Sequence, residues 1–397
     1  MINKKILFLF LVIFITSFIS LAIYLNVRIV DDNTGFILKD NLDVSVYSNL
    51  KISDLIKSMD GKLLTDEIIN TDSLGSKKVS FIYVNKENKK RRGTFNVNVV
   101  DDEKPLVWLS NSYSIKVNSD VNLEDSIMCA DNYDSNPDCK IIGDYDLNKV
   151  GSYVLSYVAT DSSNNKNKVD FTLYVYEPKE DGDEKNVSVT NFDEVLSSYK
   201  TKKSEVGIDV SKWQGKIDFS KVKEAGASFV MIRVGSQNGV NGEYVIDPYF
   251  EANVSSAIKS GLKVGVYFYS YAHSKKEAKK QAKWVIEKIK KYKITLPVAF
   301  DWECYSSFNE MDISLFGLNE IADSFLKEVE KNGYEVMLYG SKNYLNSVWK
   351  YNKNDVWLAH YSENTDYQND FVMWQLCQNG VIDGIEKMVD INVLYHD

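Results

Sequence analysis

The spacing of apolar positions changes character three times along the chain. Ile6–Leu25 is apolar throughout except for Thr16, Ser17 and Ser20. A helix of that length spans about 30 Å, the thickness of a bilayer core. Lys4 and Lys5 precede the run and Asp31 and Asp32 come after it, an arrangement that keeps the N-terminus inside. The pattern predicts a transmembrane signal anchor over residues 1–30, with a cleaved signal peptide at Ser20 and Ala22 as the alternative. Both readings place the rest of the chain outside the cytoplasm, on the cell membrane or secreted.

Alternation with period two comes next. Val79–Val84 and Thr94–Val99 read as strands around the charged turn Asn85–Arg92. The layout recurs as Tyr153–Ala159 and Val169–Tyr176 around Asp161–Asn167. The pairs Ile68-Ile69 and Ile141-Ile142 lie at similar distances upstream, so two divergent copies of one β-sandwich unit are expected, at 37–101 and 102–177. They read as a spacer, or as a module binding the wall or an envelope protein partner. Residues 178–205 are charged, contain Pro178 and Gly182, and predict a linker holding one short helix.

From residue 206 strands alternate with helices. Val206–Val210, Phe229–Val234, Lys263–Tyr269, Leu296–Asp301 and Glu335–Tyr339 are strand-like, and most of the helices between them end at Gly226, Gly261 or Gly333. Ser274 with Glu277 predicts a capping box, followed by Ala278, Ala282, Val285 and Ile289 on one face. From about Ile313 a second helix places Leu318, Ala322, Phe325 and Val329 together. Val356–Ala359, Val372–Leu376 and Lys387–Ile391 then read as three further strands. Eight strands with helices outside predict an α/β domain over 206–397, a (β/α)5β3 TIM-like barrel with its chemistry at the C-terminal strand ends. An open doubly wound sheet would want a glycine-rich phosphate loop after the first strand, and none is present.

Composition narrows the chemistry. A net charge of −9 argues against a nucleic-acid partner. His273, His360 and His396 lack metal-ligand spacing, so neither metal nor cofactor is expected. Cys129 and Cys139, ten residues apart outside the membrane, are candidates for a local disulfide. Cys304 and Cys377 read as buried free thiols.

Four acids sit on predicted strands or at their C-terminal ends: Asp209, Asp301, Glu303 and Asp390. Asp301 and Glu303 are two apart, so both side chains face the barrel interior. A strand-end D-x-E alone reads as a solvated acid pair, but four acids on three strands demand a common reason. Crowded, partly buried carboxyls hold a proton near neutral pH. A protonated carboxyl beside an ionised one is what glycosidic cleavage requires. Tyr269, Tyr339 and Trp213 lie where they could contact sugar, and Trp374 and Gln375 are candidates on a later strand.

The segments Val206–Gly215, Phe229–Arg233, Gly265–Ser270, Ala299–Glu303, Trp374-Gln375 and Val389–Asn392 resemble the lysozymes of glycoside hydrolase family 25. The second β module, with Asp102, Pro105, Gly151-Ser152-Tyr153 and Asp161, resembles bacterial immunoglobulin-like surface repeats. The family 25 resemblance implies a muramidase that cleaves the β-1,4 bond between N-acetylmuramic acid and N-acetylglucosamine in peptidoglycan. It implies Glu303 as general acid and Asp301 as nucleophile or stabiliser of an intermediate, with Asp209 and Asp390 orienting substrate. A barrel that keeps the shape as a non-catalytic wall-binding protein is the alternative. A family 18 chitinase would need D-x-x-D-x-D-x-E, which is absent.

Overall fold

The structure, a computed structural model, describes residues 29–108, 112–124, 127–178, 188–350 and 352–396. Its contacts divide the chain into two compact units, Met1–Asp102 and Glu103–Asp397. The predicted anchor lies outside the described residues except at its last positions. Among the described residues no helix is long and apolar enough to cross a membrane, which removes a transmembrane helix from the described fold.

The first unit is built on an antiparallel hairpin. β2 (Gly75–Asn85) pairs along its length with β3 (Lys90–Val100), and β3 takes β1 (Asp43–Ser45) as a parallel neighbour. Strict alternation buries Val79, Phe81 and Tyr83 on one strand and Phe95, Val97 and Val99 on the other.

The second unit opens with a module of the same plan. β8 (Gly151–Thr160) and β9 (Lys166–Tyr176) form the hairpin, with β7 (Asp138–Ile142) antiparallel to β8 and β5 (Ser112–Lys116) parallel to β9. A separate pair joins β4 (Leu106–Trp108) to β6 (Met128–Ala130). Cys129 and Cys139 are joined by a disulfide that links this pair to the larger sheet. Both modules mix parallel and antiparallel pairing. They are small mixed β modules, and the expected immunoglobulin-like sandwiches are not shown.

Within the stretch read as a linker, β10 (Thr190–Asn191) and α1 (Phe192–Tyr199) pack on the C-terminal strands and helices, with Phe192 and Val195 buried in their core. Next come β11 (Ser204–Val210), α2 (Phe219–Glu224), β12 (Phe229–Gln237), β13 (Tyr244–Ile246), α3 (Phe250–Lys259), β14 (Lys263–Ser270) and α4 (Lys275–Ile289). They are followed by β15 (Val298–Trp302), α5 (Leu315–Glu330), β16 (Val336–Ser341), α6 (Lys342–Ser347), β17 (Val356–Ala359), β18 (Met373–Val381) and β19 (Val389–Tyr395).

Eight of these strands close a barrel in the order β11-β12-β14-β15-β16-β17-β18-β19, with β10 and β13 as side pairings. A TIM barrel has eight parallel strands, each followed by a helix. Here β19 runs antiparallel to both β18 and β11, and no helix separates β17, β18 and β19. The expected (β/α)5β3 TIM-like barrel is thus corrected to a closed, mixed eight-stranded barrel with helices around part of its circumference. The physical reason is connection length. Residues 382–388 are too few for the crossover that a parallel partner of β18 would need, so the chain can only turn back.

The barrel strands are apolar on both faces, as strands covered on both sides must be. Outward residues such as Val230, Val266, Phe300 and Trp302 pack on Ala282 and Val285 of α4 and on Ala322 and Phe325 of α5. Inward residues Phe229, Met231, Ala299, Met337, Trp357, Met373 and Leu394 fill the floor. Gly265 makes this filling possible, because a Cβ there would lie 2.3 Å from Met231 Sδ. The Ser274 cap of α4 forms, accepting from Glu277 N at 3.3 Å. Glu277 does not complete the box, since its carboxylate accepts instead from His273 N and Gln237 Nε2.

Candidate active site

Above the apolar floor the inward positions turn polar, and they line a cavity of about 360 Å³. Period two explains who faces it. Asp301 and Glu303 continue the inward row begun by Ala299, while Trp302 between them points out into the helix layer and donates to Ala272 O at 3.2 Å. Cys304 likewise turns away, buried against Ser270 O.

The antiparallel closing strand brings the other two acids together. In the β11–β19 register Asp209 is the direct partner of Asp390, and in the β18–β19 register Gln375 is the partner of Asn392. Asp209 Oδ2 accepts from Gln375 Nε2 and from Asn392 Nδ2, each at 2.8 Å. Both amides are held in orientation from behind. Gln375 Oε1 accepts from Tyr339 OH at 2.8 Å and from Tyr361 OH at 3.2 Å, and Asn392 Oδ1 accepts from Trp357 Nε1 at 2.8 Å. Asp390 also hydrogen-bonds Asp209. Burial raises the Asp209 carboxyl while these donors pull it back. Asp390 is pushed up to about 9 by burial and by the charge and hydrogen bond of Asp209. The two amide donors on Asp209 favour the negative charge there, and burial favours a proton held within the pair.

The Asp301–Glu303 pair behaves differently. Asp301 is buried, and its carboxyl is driven well above the usual range by burial and then by Glu303, against a lowering pull from Arg233. Glu303 reaches the exposed mouth, and it too is raised, by desolvation and by the charge of Asp209. Two crowded carboxyls cannot both ionise freely, so the pair holds a proton near neutrality. Asp301 Oδ1 is buried without a hydrogen-bond partner among the described residues, an open acceptor facing the cavity. Arg233 stays on the wall because Asp247 grips its Nε and Nη2 at 2.9 and 2.8 Å.

Of the residues singled out from sequence, Asp209, Asp301, Glu303, Asp390, Trp213, Tyr269, Tyr339 and Gln375 all line the cavity. Trp213 stands at its edge, 65% exposed, with Lys212 Nζ 4.9 Å from the ring centroid. Trp374 does not join them. It is buried on the outer side, donates to His360 O at 2.8 Å and meets Tyr199 edge-on. Arg233, Tyr267, Trp357, Tyr361 and Gln378 line the cavity without having been singled out. Tyr267 was within reach of the same reasoning, being two positions before Tyr269 on one strand.

Residues 208–385 match the family model described as Glycosyl hydrolases family 25, which makes this stretch a glycoside hydrolase domain. Among curated proteins, an uncharacterized protein of Escherichia coli strain K12, YegX, is 28% identical over 193 residues, covering 47% of this chain and 68% of its own. Among solved structures, the modular autolysin LytC of Streptococcus pneumoniae aligns at 22% identity and a TM-score of 0.44, over 60% of this chain and 56% of that one. A family 25 glycosyl hydrolase of Bacillus anthracis aligns at 22% identity and 0.41, over 50% and 91%.

Proposed function

We propose that this glycoside hydrolase is a muramidase that hydrolyses the β-1,4 bond between N-acetylmuramic acid and N-acetylglucosamine in peptidoglycan. The observation that carries the reading is the Asp301–Glu303 pair: two carboxyls on one inward row, one buried and one at the mouth of an open cavity, both raised by burial. Glu303, at the mouth, gives its proton to the leaving glycosidic oxygen. Asp301 lies deeper, with Oδ1 unpartnered, and supports the oxocarbenium-like centre as nucleophile or by holding the substrate's own N-acetyl N–H. Asp209 supplies a negative charge favoured by two oriented amides. Trp213 and Tyr269 offer rings to the sugar faces.

The working place is the cell envelope, with the barrel outside the cytoplasm, either held at the membrane by the apolar N-terminal run or released from it. The Cys129–Cys139 disulfide supports an oxidising compartment. The direct test is digestion of purified peptidoglycan. New reducing ends are expected to be muramic acid, and N-acetylglucosamine ends would overturn the bond assignment. Glu303→Gln is expected to lower turnover by about 10²–10⁴-fold with the fold intact, because an amide of the same shape cannot donate the proton. Wild-type turnover by that variant would remove Glu303 as the acid.

A further inference from the structure

The residues after Glu303 run along the rim as the loop 304–314 before entering α5, with a 3-10 turn at Tyr305–Glu310. Rim loops of a barrel are ordinarily its most mobile parts. This one is bonded to the second β module in its middle and at its end, and its start reaches the module through a stacked ring of α6. In its middle, Asn309 bonds the backbone of β6 and of the residue before it: Oδ1 accepts from Cys129 N at 3.2 Å and Nδ2 donates to Ile127 O at 3.3 Å. Toward its end, Ser135 Oγ donates to Asp312 at 2.8 Å, and Leu315 N donates to Asp131 O at 2.7 Å.

Near its start, Tyr305 lies flat on Tyr344 with ring centroids 3.4 Å apart. Tyr344 in turn stacks on Trp108 of β4 at 4.3 Å. The module side of the contact is itself fixed. Met128 and Ala130 are buried in the same core as the barrel strands, and the disulfide ties Cys129 to β7. A spacer that merely lifted the barrel away from a membrane would need none of these bonds.

We infer that the second β module is part of the catalytic unit, and that Asn309 and Trp108 position the loop that follows Glu303 and so fix where its carboxyl enters the cavity. Asn309 is not among the residues that line the cavity, and it acts through the backbone it anchors. The inference rests on the reading of Glu303 as acid. Loosening the loop misplaces that carboxyl at the moment of proton transfer, and a misplacement of about 1 Å costs as much as about 10²-fold. The rings of Trp213 and Tyr269 offered to the sugar stand on other elements, so ground-state binding is expected to be unaffected.

The test uses the full chain acting on soluble, uncross-linked peptidoglycan strands. Asn309→Ala and Trp108→Ala are expected to lower kcat by about 10-fold or more at nearly constant KM. They are also expected to move the limb of the kcat–pH profile that reports the acid. Trp108→Phe keeps a ring on Tyr344 and should restore most of the rate. Lower melting temperatures with wild-type kcat and an unmoved pH profile would overturn the inference, as would equal rates for Trp108→Phe and Trp108→Ala. Should Asn309→Ala fail to fold, the Trp108 pair carries the test alone. Glu303→Gln separates the two claims: an inactive Glu303→Gln beside fully active Asn309→Ala and Trp108→Ala defeats this inference and leaves the muramidase reading standing.

Discussion

Both β modules are built on one long antiparallel hairpin, β2–β3 in the first and β8–β9 in the second. In both, the second hairpin strand takes a parallel neighbour from upstream, β1 on β3 and β5 on β9. Each hairpin buries alternate aromatic and aliphatic residues. The difference lies elsewhere. The first module closes on its own core as a separate unit, whereas the second contributes Met128 and Ala130 to the core of the barrel. The hairpin therefore decides that a module folds, and the short strand β6 with its flanking loop decides what it is coupled to.

The comparison breaks most visibly under matched core deletions. Phe81 in β2 and Phe171 in β9 are both buried on the hairpin face, and Phe→Ala at either should cost about 3–5 kcal/mol. With two compact units, calorimetry should resolve two transitions. Phe81→Ala is expected to lower one of them and leave turnover on soluble strands untouched. Phe171→Ala is expected to lower the transition that includes the barrel and to reduce turnover with it. Equal effects on activity would erase the distinction between the modules.

A smaller effect sharpens the comparison through pH. Burial and the neighbouring Asp209 push the Asp390 carboxyl up to about 9 in the folded protein, above its unfolded value. A carboxyl raised by folding stabilises fully below the unfolded pKa, and that contribution is lost as pH rises through the folded one. The unit 103–397 should therefore lose stability steadily from about pH 4 to about pH 9, with the raised Asp209, Asp301 and Glu303 carboxyls acting in the same direction. Asp390→Asn should flatten this slope, since an amide still donates to Asp209 without a proton to lose. Melting of the second module is expected to track the slope, because it unfolds with the barrel, and melting of the first is not. Thermal scans of the full chain from pH 5 to 9 check both statements.

Legibility in the sequence obeys the same division between local and non-local order. The barrel strands and the inward pair Asp301–Glu303 were legible because period two is a local property. That rule also argued against one expectation, since Trp374 and Gln375 are adjacent on a strand and cannot both face the cavity. Opposition of Asp209 to Asp390 was not legible, because register between β11 and β19 is set by barrel closure across most of the domain. The antiparallel direction of β19 was available in principle from the short connection before it. The Asn309 clasp was invisible. It joins one loop side chain to backbone groups 180 and 182 positions away, and backbone groups leave no mark in a sequence.

The smallest expected effect lies at the edge of the same contact. Lys350, just past α6, forms an ion pair with Glu103, the first residue of the second unit. Its side chains remain 37% and 40% exposed, so water screens the attraction, and ordering two long side chains offsets part of it. Lys350→Gln should therefore cost about 0–1 kcal/mol, shrink further with added salt and leave kcat unchanged. The Asn309 and Trp108 contacts differ in kind, being short-range, directional and placed on the loop behind Glu303. If Lys350→Gln lowered kcat as far as Asn309→Ala does, the loop would owe its position to general adhesion between module and barrel rather than to the clasp. An unchanged kcat at Lys350 beside a large loss at Asn309 would localise the coupling to the few groups around β6.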